Sequence, residues 1–157
     1  MHLTALLLAA GQSSRMETSN KLLLPLDGQP LVAHALATLC AAAVEDVVVV
    51  TGYEREALDG VLRGFPVRAV HNPRFAEGMA TSIACGIDAS APGTDGFFIC
   101  LADMPLVSSR TIARLRWRFG EAERPAIVVP VAKGRRGHPV LFDAAFRDDL
   151  RQLGGDV

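Results

Sequence analysis

The chain has 157 residues, of which 50% are hydrophobic and 21% are charged, a composition typical of one globular domain. Its formal net charge of −1 excludes a strong overall attraction to nucleic acid or to an anionic membrane, so local basic groups have to bind any anionic partner. No apolar run approaches the roughly 20 residues of a membrane helix, and no basic segment of a signal peptide opens the sequence. We therefore expect a cytoplasmic protein in which residues 1–157 form one domain.

Short apolar runs alternate with helical patterns along the chain. The runs predict five strands, at residues 3–9, 46–52, 66–72, 96–102 and 126–131. The helical patterns predict five helices, at residues 30–43, 54–64, 80–90, 108–119 and 143–153. Pro30 suits the first turn of a helix, and Gly64 suits a C-cap. Ser108 or Ser109 suits the N-cap of the fourth helix, and Asp143 suits the N-cap of the fifth. This alternation predicts an α/β fold with a parallel sheet, helices on both faces, and ligands beyond the carboxyl ends of the strands.

Three cysteines are scattered through apolar neighbourhoods, at Cys40, Cys85 and Cys100. They have no metal-ligand spacing with the histidines, so we expect three buried free thiols. Structural roles are expected for His34 and for His71, and packing in a helix is expected for Trp117.

The loop after the first strand, "AAGQSS", is the first candidate site. Small residues with free N–H groups let a phosphate approach the backbone. Arg15 can direct two donors at phosphate oxygens, and Lys21 supplies a compact charge. The loop lacks both the Walker pattern and the glycines of the dinucleotide fingerprint. The alternative is a flexible turn with two solvated cations.

A second candidate site is Asp103, which follows the apolar run "FFICLA". A carboxylate at the carboxyl edge of the sheet suits a Mg²⁺ ion that binds nucleotide phosphates. The alternative is an ordinary aspartate that turns the chain before a helix.

The third candidate site is the segment "HNPRFAEGMATSI". Asn72 begins a turn, Gly78 permits close approach, and Thr81 and Ser82 place hydroxyl groups near a helix start. Such groups can hydrogen-bond to a nucleobase, although a loop and helix cap without a ligand would have the same composition.

The fourth candidate site is "AKGRRGHPVLF", in which Lys133, Arg135 and Arg136 form a basic cluster beside glycines. A mobile basic flap over an anionic substrate would have this composition. A solvated basic hairpin would have it as well.

Taken in order, the segments "LAAGQSSRM", "KLLLPLDGQPLV", "HNPRFAEGMATSI", "CLADMP" and "GRRGHPVLF" resemble the MobA-like nucleotidyltransferase family. The resemblance covers nearly the whole chain. Within the family it is most specific to the molybdenum cofactor cytidylyltransferases, since "LAAG" is similar to the branch that transfers a cytidylyl group. It implies a Rossmann-like three-layer domain of the nucleotide-diphospho-sugar transferase type with a mostly parallel sheet.

The resemblance also implies a role for individual residues. The implied catalytic residues are Lys21, Arg15 and Asp103. The implied nucleotide-binding residues are Ala9, Ala10, Gly11, Ser13, Arg15, Lys21, Asn72, Gly78 and Ser82. The implied substrate-binding residues are Arg136, Gly137, His138 and Pro139, and the implied metal ligands are Asp103 and Asp156.

The implied reaction transfers CMP from CTP to the phosphate of molybdopterin with Mg²⁺ or Mn²⁺, and the implied protein partner is a molybdenum hydroxylase or its chaperone. Two departures from the family pattern stand out. Glu17 occupies a position that is usually glycine, and the sequence stops at "LGGDV", where family members continue, so we expect the C-terminal end of the domain to be lacking. The rival hypotheses are a nucleotidyltransferase for a sugar or polyol phosphate and a non-catalytic module that delivers the cofactor.

Overall fold

The computed structural model describes residues 1–11, 20–104 and 107–153. The strands are β1 (Leu3–Ala9), β2 (Pro25–Leu26), β3 (Gln29–Pro30), β4 (Asp46–Thr51), β5 (Arg68–His71), β6 (Gly96–Leu101), β7 (Ile127–Val128), β8 (Val131–Ala132), β9 (Arg135–Arg136) and β10 (Val140–Asp143). The α-helices are α1 (Leu31–Ala41), α2 (Arg55–Leu62), α3 (Met79–Ala89), α4 (Ser109–Glu121) and α5 (Arg147–Arg151). Three 3₁₀ turns cover Lys21–Leu23, Phe75–Glu77 and Ala144–Phe146.

A six-stranded sheet with the order β5-β4-β1-β6-β10-β7 forms the centre of the molecule. Its four strands β5, β4, β1 and β6 are parallel, and β10 runs antiparallel to both of its neighbours. The register places Leu7 beside Val49 on one side and Cys100 on the other. The predicted mostly parallel sheet is therefore confirmed, and the carboxyl ends of four strands meet at one edge.

Helices cover both faces of this sheet, as the alternating pattern predicts. Alternate strand residues point to opposite faces, so Phe98 packs with α1, α2 and α4, whereas Phe97 packs with α3 and α5. Both phenylalanines are fully buried. Burying a side chain of this size contributes about 1.5–3 kcal/mol, so the two apolar layers hold the helices on the sheet.

The prediction of one continuous strand at residues 126–131 is wrong. It forms two short strands, β7 and β8, because Pro130 lies between them and lacks the N–H group that a continuous ladder needs. The strand β10 (Val140–Asp143) was not predicted at all. Its inward residue Leu141 is fully buried between β6 and β7, so tertiary pairing rather than a long apolar run makes this segment a strand.

Helix ends also differ from the prediction at three places. Pro30 precedes α1 rather than lying in its first turn, and α2 ends at Leu62, before Gly64. The last helix begins at Arg147, because Asp143 instead caps a 3₁₀ turn by accepting the Ala145 N–H at 3.0 Å. By contrast, Ser108, one of the two predicted candidates, is the N-cap of α4 and accepts the Thr111 N–H at 3.2 Å.

The prediction of three buried thiols is right only for Cys100. Burial raises the pKa of the Cys100 thiol to about 12, whereas Cys85 is half-buried and Cys40 is exposed. The packing role predicted for Trp117 is also wrong, since the indole is 62% exposed. The structural role of His34 is confirmed, because its Nε2 donates to the Leu26 carbonyl at 2.6 Å. Within the described ranges, the structure contains no helix with the length and apolarity that a membrane crossing needs.

A pH-dependent ion pair ties the start of β1 to α4. Arg116 donates to both carboxylate oxygens of Glu45, and the Leu3 N–H donates to Glu45 Oε2 at 3.1 Å. The hydrogen bond from Arg116, more than any other contact, lowers the pKa of Glu45 from 4.5 to about 2. This stabilisation is therefore present above pH 4.5 and is lost as the pH falls towards 2.

We expect Glu45→Gln to lower the free energy of unfolding by about 1 kcal/mol at pH 6, a value reduced for solvent screening. At pH 3 the difference between the variant and the wild type should shrink, because the Glu45 carboxyl group of the unfolded chain is then protonated and folding has to release that proton to form the ion pair. Urea unfolding at both pH values measures this. An equal difference at pH 6 and pH 3 would mean that the ion pair does not stabilise the fold.

Candidate functional site

Two of the predicted catalytic residues meet at the carboxyl edge of the sheet. Lys21 Nζ lies 3.6 Å from Asp103 Oδ2, and about half of each side chain is exposed. Lys21 comes from the segment that follows β1, whereas Asp103 follows β6, the parallel neighbour of β1. The Ala102 N–H donates to the Leu8 carbonyl at 3.2 Å, which extends the ladder towards Asp103. Parallel pairing thus brings together a cation and a carboxylate that are distant in the chain.

Asn20 holds Lys21 in place, and sequence reasoning missed it. The Asn20 side chain is buried; its Oδ1 accepts the Leu22 N–H at 3.0 Å, and its Nδ2 donates to the Tyr53 carbonyl at 3.4 Å. The Tyr53 N–H in turn donates to the Ala10 carbonyl at 3.3 Å. Tyr53, in the turn after β4, therefore holds both Ala10 at the start of the first candidate loop and Asn20 just before Lys21. An asparagine directly before "KLL" is a capping signal that could have identified this role.

Close packing fixes the start of the same loop. A Cβ atom on Gly52 would lie 2.5 Å from Phe75 Cβ and 2.9 Å from Ala10 Cβ, so only glycine permits this approach. Ala9 and Ala10 are buried, whereas Gly11 is exposed and has open space where a side chain would stand. The backbone at Gly11 is thus accessible to a ligand.

Several predicted site residues lie outside the described residues. These are Ser13, Arg15 and Asp156, together with Glu17, the departure from the family pattern. Their predicted roles in binding phosphate or metal stay predictions.

Asn72 organises the third candidate segment through four hydrogen bonds. Its Nδ2 donates to Thr81 Oγ1 and Ser82 Oγ at 2.9 Å each, its Oδ1 accepts the Arg74 N–H at 2.9 Å, and its own N–H donates to the Thr51 carbonyl at 2.7 Å. Asn72 is 2% exposed and Ser82 is 5% exposed. These polar atoms hold the loop against α3, so their predicted contact with a nucleotide stays a prediction.

Gly78 occupies the position before α3 with a φ of 113°, in the range that favours glycine. This conformation turns the chain from the Phe75–Glu77 turn into the helix. The backbone conformation by itself therefore explains why residue 78 is glycine. The predicted role of Gly78 in nucleotide binding stays a prediction.

The basic segment forms a hairpin, which is one of the two forms that its composition allows. The positive φ values of Lys133 (53°) and Gly134 (76°) make the two-residue turn between β8 and β9, and Arg136 is exposed on β9. The Gly137 N–H donates to the Pro130 carbonyl at 2.9 Å, closing the base of the hairpin.

The hairpin leads the chain back to the vicinity of Asp103. His138 is half-buried, Pro139 is buried, and both line a cavity together with Met104, the residue after Asp103. The predicted substrate-binding residues His138 and Pro139 therefore share a cavity with the residue that follows the predicted metal ligand, although no sequence pattern links them.

The carboxylates near the candidate site fit a divalent metal ion that is held mainly by the phosphates of a substrate. Among residues 1–11, 20–104 and 107–153, no cluster of three or more His, Cys, Asp or Glu side chains could hold a metal by itself. Mg²⁺ commonly binds one or two carboxylates together with substrate phosphates and water. Asp103, an exposed carboxylate beside a cation that suits phosphates, fits that arrangement.

Comparisons with known proteins agree with this geometry. Residues 5–157 match the MobA-like NTP transferase domain. The chain is 33% identical to nicotine blue oxidoreductase from Paenarthrobacter nicotinovorans, in an alignment that covers 98% of this chain and 78% of that protein.

Solved structures show the same fold. A nucleotidyl transferase from Methanothermobacter thermautotrophicus superposes with a TM-score of 0.84 at 27% identity, covering 98% of this chain and 76% of that one. The manganese complex of Rv0371c from Mycobacterium tuberculosis has a TM-score of 0.80 at 24% identity, covering 99% of this chain and 78% of that one, and it shares the fold.

Proposed function

The chain belongs to the MobA-like NTP transferase family, and from that premise we propose that it transfers CMP from CTP to the phosphate of molybdopterin and releases pyrophosphate. The observation that carries the proposal is the pairing of Lys21 with Asp103 at 3.6 Å on the carboxyl edge of the sheet. In open α/β sheets this edge is where nucleotides bind. The choice of CTP rests on the residues "LAAG" before the loop.

In the proposed reaction, an oxygen of the acceptor phosphate forms a bond to the α-phosphorus of CTP. The bond from that phosphorus to the bridging oxygen of the β-phosphate breaks, and the electron pair leaves with pyrophosphate. No protein nucleophile is required, so catalysis depends on positioning and on stabilisation of charge.

Lys21 stabilises the negative charge that grows on the leaving pyrophosphate, and Arg15 is proposed to assist from the same loop. The exposed backbone at Gly11 lies against the triphosphate. Asn20 keeps Lys21 in place through its contacts with Leu22 and Tyr53.

Asp103 is the residue that would hold Mg²⁺ or Mn²⁺, with Asp156 as the proposed second carboxylate. A divalent ion supplies charge neutralisation and orients phosphate oxygens. The Rv0371c structure, a complex with manganese, supports a divalent metal at this fold. We further propose that the protein works in the cytoplasm and delivers its product to a molybdenum hydroxylase or a chaperone of that enzyme.

One relative favours a second candidate function. The protein from Paenarthrobacter nicotinovorans, 33% identical, is named an oxidoreductase that acts on nicotine blue. A redox role would need a bound electron carrier, and the first loop has one glycine instead of the three of the dinucleotide fingerprint. Nucleotidyl transfer is therefore the better-supported proposal.

The test is pyrophosphate release in the presence of Mg²⁺, with CTP or GTP and with molybdenum-loaded molybdopterin or glucose 1-phosphate as acceptor. We expect release with CTP and the molybdopterin acceptor only. Release with glucose 1-phosphate would favour the sugar phosphate rival. Binding of CTP without release from any acceptor would favour a delivery module, and oxidation of NADH in the presence of nicotine blue would favour the redox alternative.

A further inference from the structure

Helix α4 carries a row of arginines on the side that faces away from the sheet. Arg110, Arg114 and Arg118 are exposed and follow one another at intervals of four residues, so they lie about 6 Å apart along one side of the helix. We call these three residues, together with the exposed Trp117 between the last two, the basic face of α4. The opposite side of the helix packs into the core through its buried residues Ile112, Leu115 and Phe119.

The fold itself does not use the charge of this basic face. Among the carboxylates of residues 1–11, 20–104 and 107–153, none forms an ion pair with Arg110, Arg114 or Arg118. Arg116 on the same helix, by contrast, pairs with Glu45. Like charges four residues apart destabilise a helix, so the row does not stabilise α4. Its guanidinium groups are therefore available to a partner.

Trp117 adds a large apolar surface to the basic face. It is the single tryptophan of the chain, and its side chain is 62% exposed. The guanidinium carbon of Arg118 lies 5.5 Å from the centre of the indole ring, which keeps the ring beside the arginines. Tryptophan and arginine are the residue types most enriched among those that contribute the energy of protein–protein binding. The combination is typical of a protein interface.

The charges at the end of the helix favour a protein partner over nucleic acid or lipid. Glu121 is exposed one turn beyond Trp117 on the same side of α4, and Glu123 is exposed just after the helix. A surface made of phosphates repels these carboxylates, whereas a protein can place a cation opposite each of them. The net charge of −1 adds no general attraction to a polyanion.

A second copy of this chain does not offer the complementary charge. Outside α4, exposed carboxylates of the described residues are matched within the chain, as in the pairs of Glu77 with Arg74 at 3.0 Å and of Asp88 with Arg151 at 2.8 Å. Helix α2 interleaves acidic and basic side chains. The partner is therefore a different protein with an acidic surface.

We infer that the basic face of α4 is a docking surface for another protein that presents an acidic helix. Carboxylates at every fourth residue of a helix have the same spacing, about 6 Å, as the arginines, so each guanidinium group receives one carboxylate. An apolar side chain of the partner covers Trp117. Arg114 and Arg118 also border the groove that α4 forms with the hairpin, whereas Arg110 and Trp117 lie outside it. Docking requires neither nucleotide nor acceptor, so the inference does not depend on the proposed function.

The probe is a synthetic helical peptide of about 20 residues, with glutamate at every fourth position, leucine on the same side and no aromatic residue. The matched ligand is the same peptide with glutamine in place of each glutamate. Because Trp117 is the single tryptophan, its fluorescence reports binding to the whole chain directly. We expect the glutamate peptide to bind at least about tenfold more tightly than the glutamine peptide. Raising the ionic strength from about 0.1 M to about 1 M should remove this difference, since the Debye length falls to about 3 Å.

Two double variants with the same change in charge test the position of the docking surface. Arg110→Gln combined with Arg114→Gln should weaken binding of the glutamate peptide about fivefold. Arg55→Gln combined with Arg63→Gln is the control, because both arginines are exposed on or beside α2, which packs at the far end of the sheet from α4. This control should bind the peptide like the wild type. Trp117→Ala, measured by isothermal titration because it lacks the fluorophore, should also weaken binding about fivefold.

Four outcomes would overturn the inference. Equal affinity for the two peptides, or no binding of either, would show that the basic face does not recognise an acidic helix. Equal losses in the two double variants would assign binding to diffuse charge. Tighter binding of a uridine oligonucleotide of about 20 nucleotides would indicate a nucleic-acid surface, and tighter binding of phosphatidylserine vesicles would indicate a membrane surface.

Discussion

Replacing Asp103 with asparagine is expected to lower kcat for pyrophosphate release by about 100- to 1000-fold. Asparagine preserves the size of the side chain but removes the charge that would hold a divalent metal on the triphosphate. The Asp103 side chain is about half exposed and pairs only across 3.6 Å with Lys21, so its replacement should leave Tm within a few degrees of the wild type. Steady-state kinetics with CTP and thermal melting measure the two quantities.

Asp88 offers a matched control for this substitution. It is an exposed aspartate that pairs with an exposed cation, Arg151, at 2.8 Å, on α3 and away from the catalytic edge. Asp88→Asn should change neither kcat nor Tm appreciably. If Asp103→Asn retained the kcat of this control, Asp103 would not be a metal ligand.

The partner residue Lys21 should produce a different kinetic signature. Lys21→Met removes a cation that we propose faces the triphosphate, so we expect weaker CTP binding in addition to a lower kcat. Isothermal titration with CTP separates the two effects. A CTP affinity equal to that of the wild type would assign Lys21 to the ion pair with Asp103 alone.

Removing the Asn72 side chain is the substitution with the second large expected effect. Asn72→Ala should lower the free energy of unfolding by about 2–4 kcal/mol, because it deletes three side-chain hydrogen bonds and removes the partner of the buried Ser82 hydroxyl. For a chain of this size, Tm should fall by roughly 2–4 °C per kcal/mol. Urea unfolding and thermal melting report both values.

Ser82→Ala is the comparison for Asn72, since it removes one of the same hydrogen bonds and leaves the other two. Its expected cost is about 1 kcal/mol. A loss of stability in Asn72→Ala no greater than that in Ser82→Ala would show that the amide does not organise this loop. If both proteins stay folded and bind CTP like the wild type, neither side chain contacts the nucleotide.

The sequence by itself was sufficient to predict β1, β4 and β6, because each is a short, mostly apolar run that is buried on both faces. It also predicted the edge strand β5, whose residues are exposed or half-buried. It was also sufficient for the helices on both faces, whose apolar spacing is regular, and for the N-cap at Ser108. Asp103 was identified because a carboxylate directly after an apolar strand lies at the carboxyl edge of a parallel sheet. Lys21 was identified because a cation in the small-residue loop after the first strand suits a phosphate.

Only the tertiary structure decided which of these groups meet. Strand β10 has a weak local sequence pattern and becomes a strand because the edges of β6 and β7 pair with its backbone. Pro130 divides residues 126–131, for which composition alone predicts one continuous strand. Two contacts join segments that are remote in the chain. Asn20 and Tyr53 anchor Lys21, and α4 meets the basic hairpin around one groove. Local propensity determines each element, whereas side-chain burial and strand pairing between distant segments determine the site, and no single stretch of sequence contains that information.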